Sequence, residues 1–172
     1  MAYSDDVNFP QFPSDLACEA AGIDAATLKN WISRKEPAVF IAPNERVQIG
    51  ERTSFRFTLR RVMQLAIVAE LNNFGIGPSD AAWMAAEFTD QENDMQTRRA
   101  GELFEKNYTV LIVAGSHLCS LVNATAETSW RLLPTLSMAP SASSNIVVNI
   151  NRIDMRVRVA LGLPVWAREG VF

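Results

Sequence analysis

The spacing of apolar residues predicts two short helices near the start of the chain, joined by a tight turn. The first begins at about Ser14 and ends at Gly22, a residue that favours helix termination. Asp24 has the side chain of a helix N-cap, and the second helix follows from Ala25 to about Arg34. Its apolar residues lie three and four positions apart, so they form one stripe that faces a core: Leu28, Trp31 and Ile32.

The pattern then changes to one of strands and longer helices. Runs rich in Val, Ile, Phe and Thr predict strands at about 38–42 and 53–57, with turn signals at Pro43-Asn44 and at Gly50 between them. Thr58 is placed to cap a long helix over 59–73, which Gly75 ends. Another helix is predicted from Pro78 to about residue 88.

The carboxyl-terminal part predicts a small mixed unit. Residues 89–106 form a polar linker that is helical in its second half, and strands follow at 108–114 and 118–124, joined as a hairpin at Gly115-Ser116. A further strand at 129–133, a loop over 137–145, a strand at 146–148 and a helix from Ile150 to Leu161 complete it. The fold class is therefore α+β, with a helical amino-terminal half and a small α+β carboxyl-terminal domain.

Composition excludes several classes of protein. Of 172 residues, 48% are apolar and 20% charged, which is too apolar for a disordered chain. No apolar run reaches the roughly 18 residues of a membrane span, and the acidic first residues predict no signal peptide. Two distant cysteines and the single His117 do not make a zinc site or a disulfide scaffold. We expect a cytoplasmic protein with reduced thiols and no metal or cofactor.

No set of residues points to catalysis. His117 and Cys119 share one face of a predicted strand, but no further acid or metal ligand stands near them in the sequence. Trp31 and Cys18 are interpreted as core residues. We therefore expect that the protein is not an enzyme.

Charge is distributed unevenly along the chain, although the net charge is only −3. Residues 1–26 carry five acidic side chains and no basic one, whereas residues 27–62 carry eight basic against three acidic side chains. A local basic stretch within an acidic protein is typical of a module that binds a polyanion. The alternative is a solvated surface with no binding role.

Three short motifs occur in order along the amino-terminal half: Thr27-Leu28-Lys29-Asn30-Trp31, Phe55-Arg56-Phe57-Thr58 and Gly75-Ile76-Gly77-Pro78-Ser79. Together they resemble the winged helix-turn-helix DNA-binding domain of MerR-like regulators. The resemblance covers residues 13–88 and implies a helix-turn-helix followed by a β-hairpin wing. It also implies binding to double-stranded DNA, a property shared by the phage excisionases and packaging subunits that have this fold. The chain is accordingly divided into an arm at 1–12, the winged domain at 13–88, a linker at 89–106 and a carboxyl-terminal domain at 107–172.

The candidate DNA-binding residues fall into three groups. Polar and basic side chains of the second helix can reach base edges in the major groove, and basic side chains of the wing flank it. The arginines after the wing are suited to phosphates, which position the protein without reading sequence. The residues are Thr27, Lys29, Asn30, Ser33 and Arg34 on the helix, Arg46 and Arg52 on the wing, and Arg56, Arg60 and Arg61 beyond them.

These features predict a sequence-specific transcriptional regulator that binds double-stranded DNA. The alternatives are a phage-type packaging or excisionase-like architectural DNA-binding protein, or a winged-helix module that binds an acidic partner protein. We expect a homodimer formed through a sheet edge or the last helix of the carboxyl-terminal domain. That domain could instead hold a small-molecule effector between its large side chains: Tyr108, Trp130, Met138 and Trp166.

Overall fold

The computed structural model of the protein describes residues 3–92, 98–114, 118–125 and 145–165. It is an α+β fold, as predicted from the sequence. The helices are α1 (Ser14–Ala21), α2 (Ala25–Ser33), α3 (Leu59–Asn73), α4 (Pro78–Thr89) and α5 (Ile150–Leu161), with a 3₁₀ turn at Pro43–Glu45. The strands are β1 (Phe12–Pro13), β2 (Arg46–Ile49), β3 (Arg52–Phe57), β4 (Tyr108–Ala114), β5 (Leu118–Ala124) and β6 (Asn145–Asn149).

Some predicted features lie outside the described residues. These are the Gly115-Ser116 turn, His117, the strand at 129–133, all but the last residue of the loop at 137–145, and the side chains of Trp130, Met138 and Trp166. Among the helices that the structure describes, none has both the length and the apolar character needed to cross a lipid bilayer.

The first sheet joins the start of the chain to a short hairpin. Its order is β1-β3-β2 and both pairs are antiparallel. Ile49 pairs with Arg52, which leaves Gly50 and Glu51 as a two-residue turn. Gly50 has φ +60°, a conformation that glycine adopts without strain at the first position of a type II′ hairpin turn.

The prediction of a strand at 38–42 is wrong. This segment follows the end of α2, where the amide of Ala38 donates to the carbonyl of Trp31 at 2.9 Å. Val39 and Ile41 are buried, so the apolar run reflects core packing and not pairing in a sheet. The first hairpin strand lies later in the chain, at β2, after the 3₁₀ turn.

The second sheet has the order β5-β4-β6 with antiparallel pairs throughout. Leu111 and Val113 of β4 and Val148 of β6 belong to the main core, together with buried residues of the helices. The hairpin predicted at 108–124 is confirmed, because β4 and β5 pair along their whole lengths. The prediction of a helix in the second half of the linker is wrong, because residues 98–106 contain a bridge residue, turns and bends but no helix.

A buried arginine fastens the end of α4 to the segment that leads into the second sheet. The Arg98 guanidinium donates to the carbonyls of Phe88 at 2.9 Å and Glu87 at 3.2 Å, and so caps carbonyls near the carboxyl end of α4. It also lies 5.7 Å from the ring centroid of Phe88 and 5.8 Å from that of Phe104. Burial lowers the pKa of Arg98 from its ordinary value, because desolvation disfavours the charged form.

The two halves of the chain share one continuous core. Helix α1 packs against both α3 and α5, so a carboxyl-terminal helix lies against the first helix of the amino-terminal half. Cys18 and Trp31 are buried in that core, as expected. The domain boundaries drawn from the sequence, at 13–88 and 107–172, stay a prediction.

Candidate nucleic-acid interface

Helix α2 has its orientation fixed from both ends. At its start, the Asp24 carboxylate accepts a hydrogen bond from the amide of Thr27 at 2.6 Å. This hydrogen bond lowers the pKa of the Asp24 carboxyl, since it stabilises the ionised form. Leu28 and Trp31 anchor one side of the helix in the core, and the carbonyl of Trp31 accepts the amide of Ala38 beyond its end. The opposite side is therefore held outward.

That outward side carries most of the polar residues predicted to bind DNA. Lys29, Asn30 and Ser33 are exposed, at the spacing of one helical face. Arg34 ends the helix and is also exposed, and its Nε donates to Oδ1 of Asn30 at 3.2 Å. Thr27 is half-buried beside the helix cap. The structure thus brings four of the five predicted helix residues to one solvent-facing stripe.

The hairpin contributes a smaller basic surface. Arg46 is exposed at the start of β2, whereas Arg56 is half-buried and its Nη1 donates to the carbonyl of Phe55 at 3.4 Å. The Arg52 side chain lies outside what the structure describes. At the tip, the Thr53 hydroxyl donates to Oε1 of Gln48 at 3.2 Å. This polar contact links the two strands next to their turn.

Arg61 differs from the expectation that it contacts phosphate. Its Nε donates to Oε2 of Glu45 at 3.2 Å, and its Nη1 donates to Gln64. The Glu45 side chain is 2% exposed and that of Arg61 is 14% exposed, so the ion pair is mostly shielded from water. Arg61 therefore joins the root of the hairpin to α3.

Arg60 also differs from its predicted role. Its Nη2 lies 3.3 Å from Oδ1 of Asp90, and its side chain borders a cavity that is lined by several carboxylates. Four acidic side chains line that cavity, Asp5, Asp6, Glu92 and Glu102, against two arginines, Arg60 and Arg99. This surrounding charge repels a phosphate, because like charges on an exposed surface oppose the approach of a polyanion. Arg60 is thus part of a mixed-charge surface around the amino-terminal arm.

Within the basic run 27–62, one exposed basic residue was absent from the predicted set. Lys35 directly follows Arg34 and extends the positive end of α2. Its position in the basic run was the available sequence signal, but it lies beyond the predicted helix. With Lys29, Arg34 and Arg46, it gives the described candidate surface four exposed cations.

The thiol of Cys119 lies apart on β5 and is partly buried, and burial raises its pKa to about 11.

Among the described residues, no group of three or more histidine, cysteine and acidic side chains is placed to hold a metal ion. Comparison of the chain with protein-family models, with curated proteins and with solved structures gave no match. The arrangement of side chains on α2 and the hairpin is accordingly the basis for a functional proposal.

Proposed function

We propose that residues 13–88 act as a winged helix-turn-helix and that the protein is a sequence-specific, DNA-binding regulator of transcription. Helix α2 enters the major groove of double-stranded DNA, and the β2–β3 hairpin is the wing beside it. The observation that carries the proposal is the exposed stripe of α2, where Lys29, Asn30, Ser33 and Arg34 stand opposite the buried Leu28 and Trp31.

The side chains of the stripe suit the two parts of DNA recognition. Lys29 and Arg34 are long and cationic, so they can neutralise phosphates and release counterions. Asn30 has both the acceptor and the donor that an adenine edge requires in the major groove. The hydrogen bond from Arg34 to Asn30 holds the two side chains together, so a base contact and a phosphate contact are prepared in one place.

The proposal rests on fewer basic residues than the sequence predicts. Arg60 and Arg61 are engaged with Asp90 and Glu45, so the phosphate contacts are assigned to other residues. Lys35 and Arg46 are exposed on either side of the segment that joins α2 to the hairpin. We therefore assign Lys35 to the interface together with the α2 stripe and Arg46.

A salt titration with duplex DNA tests the proposal. A fluorescent 30-base-pair duplex of random sequence is titrated with the full chain at several salt concentrations, and anisotropy gives the dissociation constant. Each phosphate contact contributes about 0.9 to the slope of log K against log salt. Lys29→Glu and Arg34→Glu should each weaken binding by about 10-fold or more and reduce that slope by about one or more.

The matched control is Lys106→Glu, because Lys106 is exposed and lies far from α2 along the chain. This variant changes the net charge equally and should bind DNA as the wild type does. Absence of binding, binding independent of salt, or equal loss in all three variants would contradict the proposal.

Asn30→Ala distinguishes a regulator from an architectural DNA-binding protein. Selection of tight binders from the random duplex pool provides a preferred sequence for the comparison. For a regulator, the alanine variant should lose about 1–3 kcal/mol on that sequence and little on random DNA. Equal loss on both would favour a packaging or excisionase-like role, in which shape and phosphates dominate binding.

A further inference from the structure

Strand β6 forms one edge of the second sheet in the described part of the chain. It pairs with β4 on one side, through five consecutive residue pairs from Asn145 to Asn149. An edge strand presents main-chain N–H and C=O groups on its other side, and these groups can pair with another strand. The edge is short, but its central residue, Val147, is apolar and 52% exposed.

A groove of about 390 Å³ opens across this edge. Both Val147 and Val148 line it, although adjacent strand residues point to opposite faces of a sheet. Phe74, at the end of α3, and Met155, on α5, line the same groove and are 59% and 41% exposed. Three large apolar side chains are thus exposed together beside a strand edge, and burial against another protein would remove their apolar surface from water.

The charges of the groove favour a second copy of the chain as its occupant. Glu70 lies on one wall and Arg152 and Arg156 on the other, and Nη1 of Arg156 is 3.6 Å from Oε2 of Glu70. The groove thus carries one acidic and two basic side chains, and a partner of a single charge would complement only part of it. A second copy of the same groove carries both signs, so a two-fold axis brings the acid of one copy to the bases of the other.

We propose that this surface, formed by β6 and the groove beside it, joins two copies of the chain into a dimer. The two β6 strands pair antiparallel about a two-fold axis near Val147, which places each Val147 opposite its counterpart and Asn145 opposite Asn149 of the second copy. The β5-β4-β6 sheets of the two copies then become one six-stranded sheet. The apolar side chains of both grooves are covered, and Glu70 exchanges its partner within the protomer for arginines of the other copy.

Sedimentation equilibrium of the full chain from about 1 to 100 μM tests this interface without reference to DNA. The wild type should reach twice the monomer mass, 19.1 kDa, within this range. Val147→Lys places two ammonium groups side by side at the axis and should raise the dimer dissociation constant at least 10-fold. Val159→Lys is the matched control, because Val159 is an exposed valine on α5 that does not line the groove. Circular dichroism shows whether each variant is folded.

A charge exchange keeps the test decisive if Val147→Lys fails to fold. The first variant is Glu70→Lys, and the second combines Arg152→Glu with Arg156→Glu. Each variant by itself should be monomeric, since like charges then face each other across the axis. An equimolar mixture of the two should sediment as a heterodimer. A monomeric wild type at 100 μM, unchanged association in the charge variants, or a failure of the mixture to associate overturns the proposal.

Discussion

The carboxylate of Glu45 accepts several hydrogen bonds at the base of the hairpin. The loss of unfolding free energy on its replacement can therefore be calculated approximately. The carboxylate accepts hydrogen bonds from the amide of Ala42 at 3.1 Å, from the amide and hydroxyl of Thr58 at 3.2 Å, and from Nε of Arg61 at 3.2 Å. Glu45→Gln keeps the shape of the side chain. However, glutamine carries an NH₂ group in place of one carboxylate oxygen. Each carboxylate oxygen of Glu45 accepts two of these hydrogen bonds, so the NH₂ group, itself a donor, would face two donors.

The expected cost is about 3 kcal/mol of unfolding free energy. Removing one partner of a buried ion pair costs about 3–5 kcal/mol, and a hydrogen bond to a charged group contributes about 1.5–3 kcal/mol. The lower end applies here, because Arg61 is slightly exposed and keeps its bond to Gln64. With a urea dependence of about 2–3 kcal/mol per molar, the midpoint of unfolding should fall by about 1 M or more.

Urea unfolding followed by circular dichroism measures this loss, with Glu36→Gln as the matched control. Glu36 is exposed, so its substitution should change stability by less than about 0.5 kcal/mol. The loss for Glu45→Gln should shrink when Arg61→Met is already present, because the ion pair no longer exists to be broken. If Glu45→Gln were as mild as the control, or equally costly with and without Arg61, the assignment of a stabilising ion pair would be refuted.

Two further predictions follow from groups with shifted pKa values. Asp24→Ala removes the side-chain cap from the amide of Thr27 and should lower the melting temperature. Asp24→Asn keeps an oxygen that can accept this hydrogen bond, so its melting temperature should stay close to that of the wild type. Because the folded pKa of Asp24 is lowered, its contribution to stability is present above the unfolded pKa near 3.8 and is lost as the pH falls below that value. The folded pKa of Cys119 is raised from 9.0 to about 11, mainly by burial and then by the charge of Glu87. Iodoacetamide should therefore alkylate this thiol slowly at pH 8 in the folded protein and faster in urea, and stability should decline as the pH rises from 9.0 to about 11. Equal alkylation rates in the folded protein and in urea would contradict the first expectation. A stability that falls over this pH range no more in the wild type than in Cys119→Ala would contradict the second.

The sequence predicted those elements whose ends are marked by local signals. Helix α3 begins after Thr58, whose hydroxyl accepts the amide of Arg61, and it ends just before Gly75, at the residues foreseen. The capped start of α2 and the runs of strand-forming residues in β4 and β5 are likewise local properties of the chain. These elements could therefore be predicted without knowledge of their tertiary partners.

Local patterns are insufficient where distant residues decide the outcome. Residues 38–42 have the composition of a strand, but the carbonyl of Trp31 and the core determine their conformation. The phosphate contacts of Arg60 and Arg61 stay a prediction, which rests on the charge counted along the run 27–62. Their ion-pair partners are Asp90, 30 residues away, and Glu45, which lies within the same run but 16 residues away, and a count of charges reveals neither pairing. The exposed stripe of α2, in contrast, follows from helical spacing alone.

The double packing of α1 has a practical consequence for anyone who wishes to study α2 in isolation. Since α5 covers one flank of α1 and α3 another, a chain cut after residue 88 would expose the flank that α5 now covers. Such a fragment would tend to aggregate or to lose the fixed angle at which α1 supports its neighbour. The carboxyl-terminal half thus completes the packing of the amino-terminal half. The behaviour of α2 is therefore best measured in the intact protein.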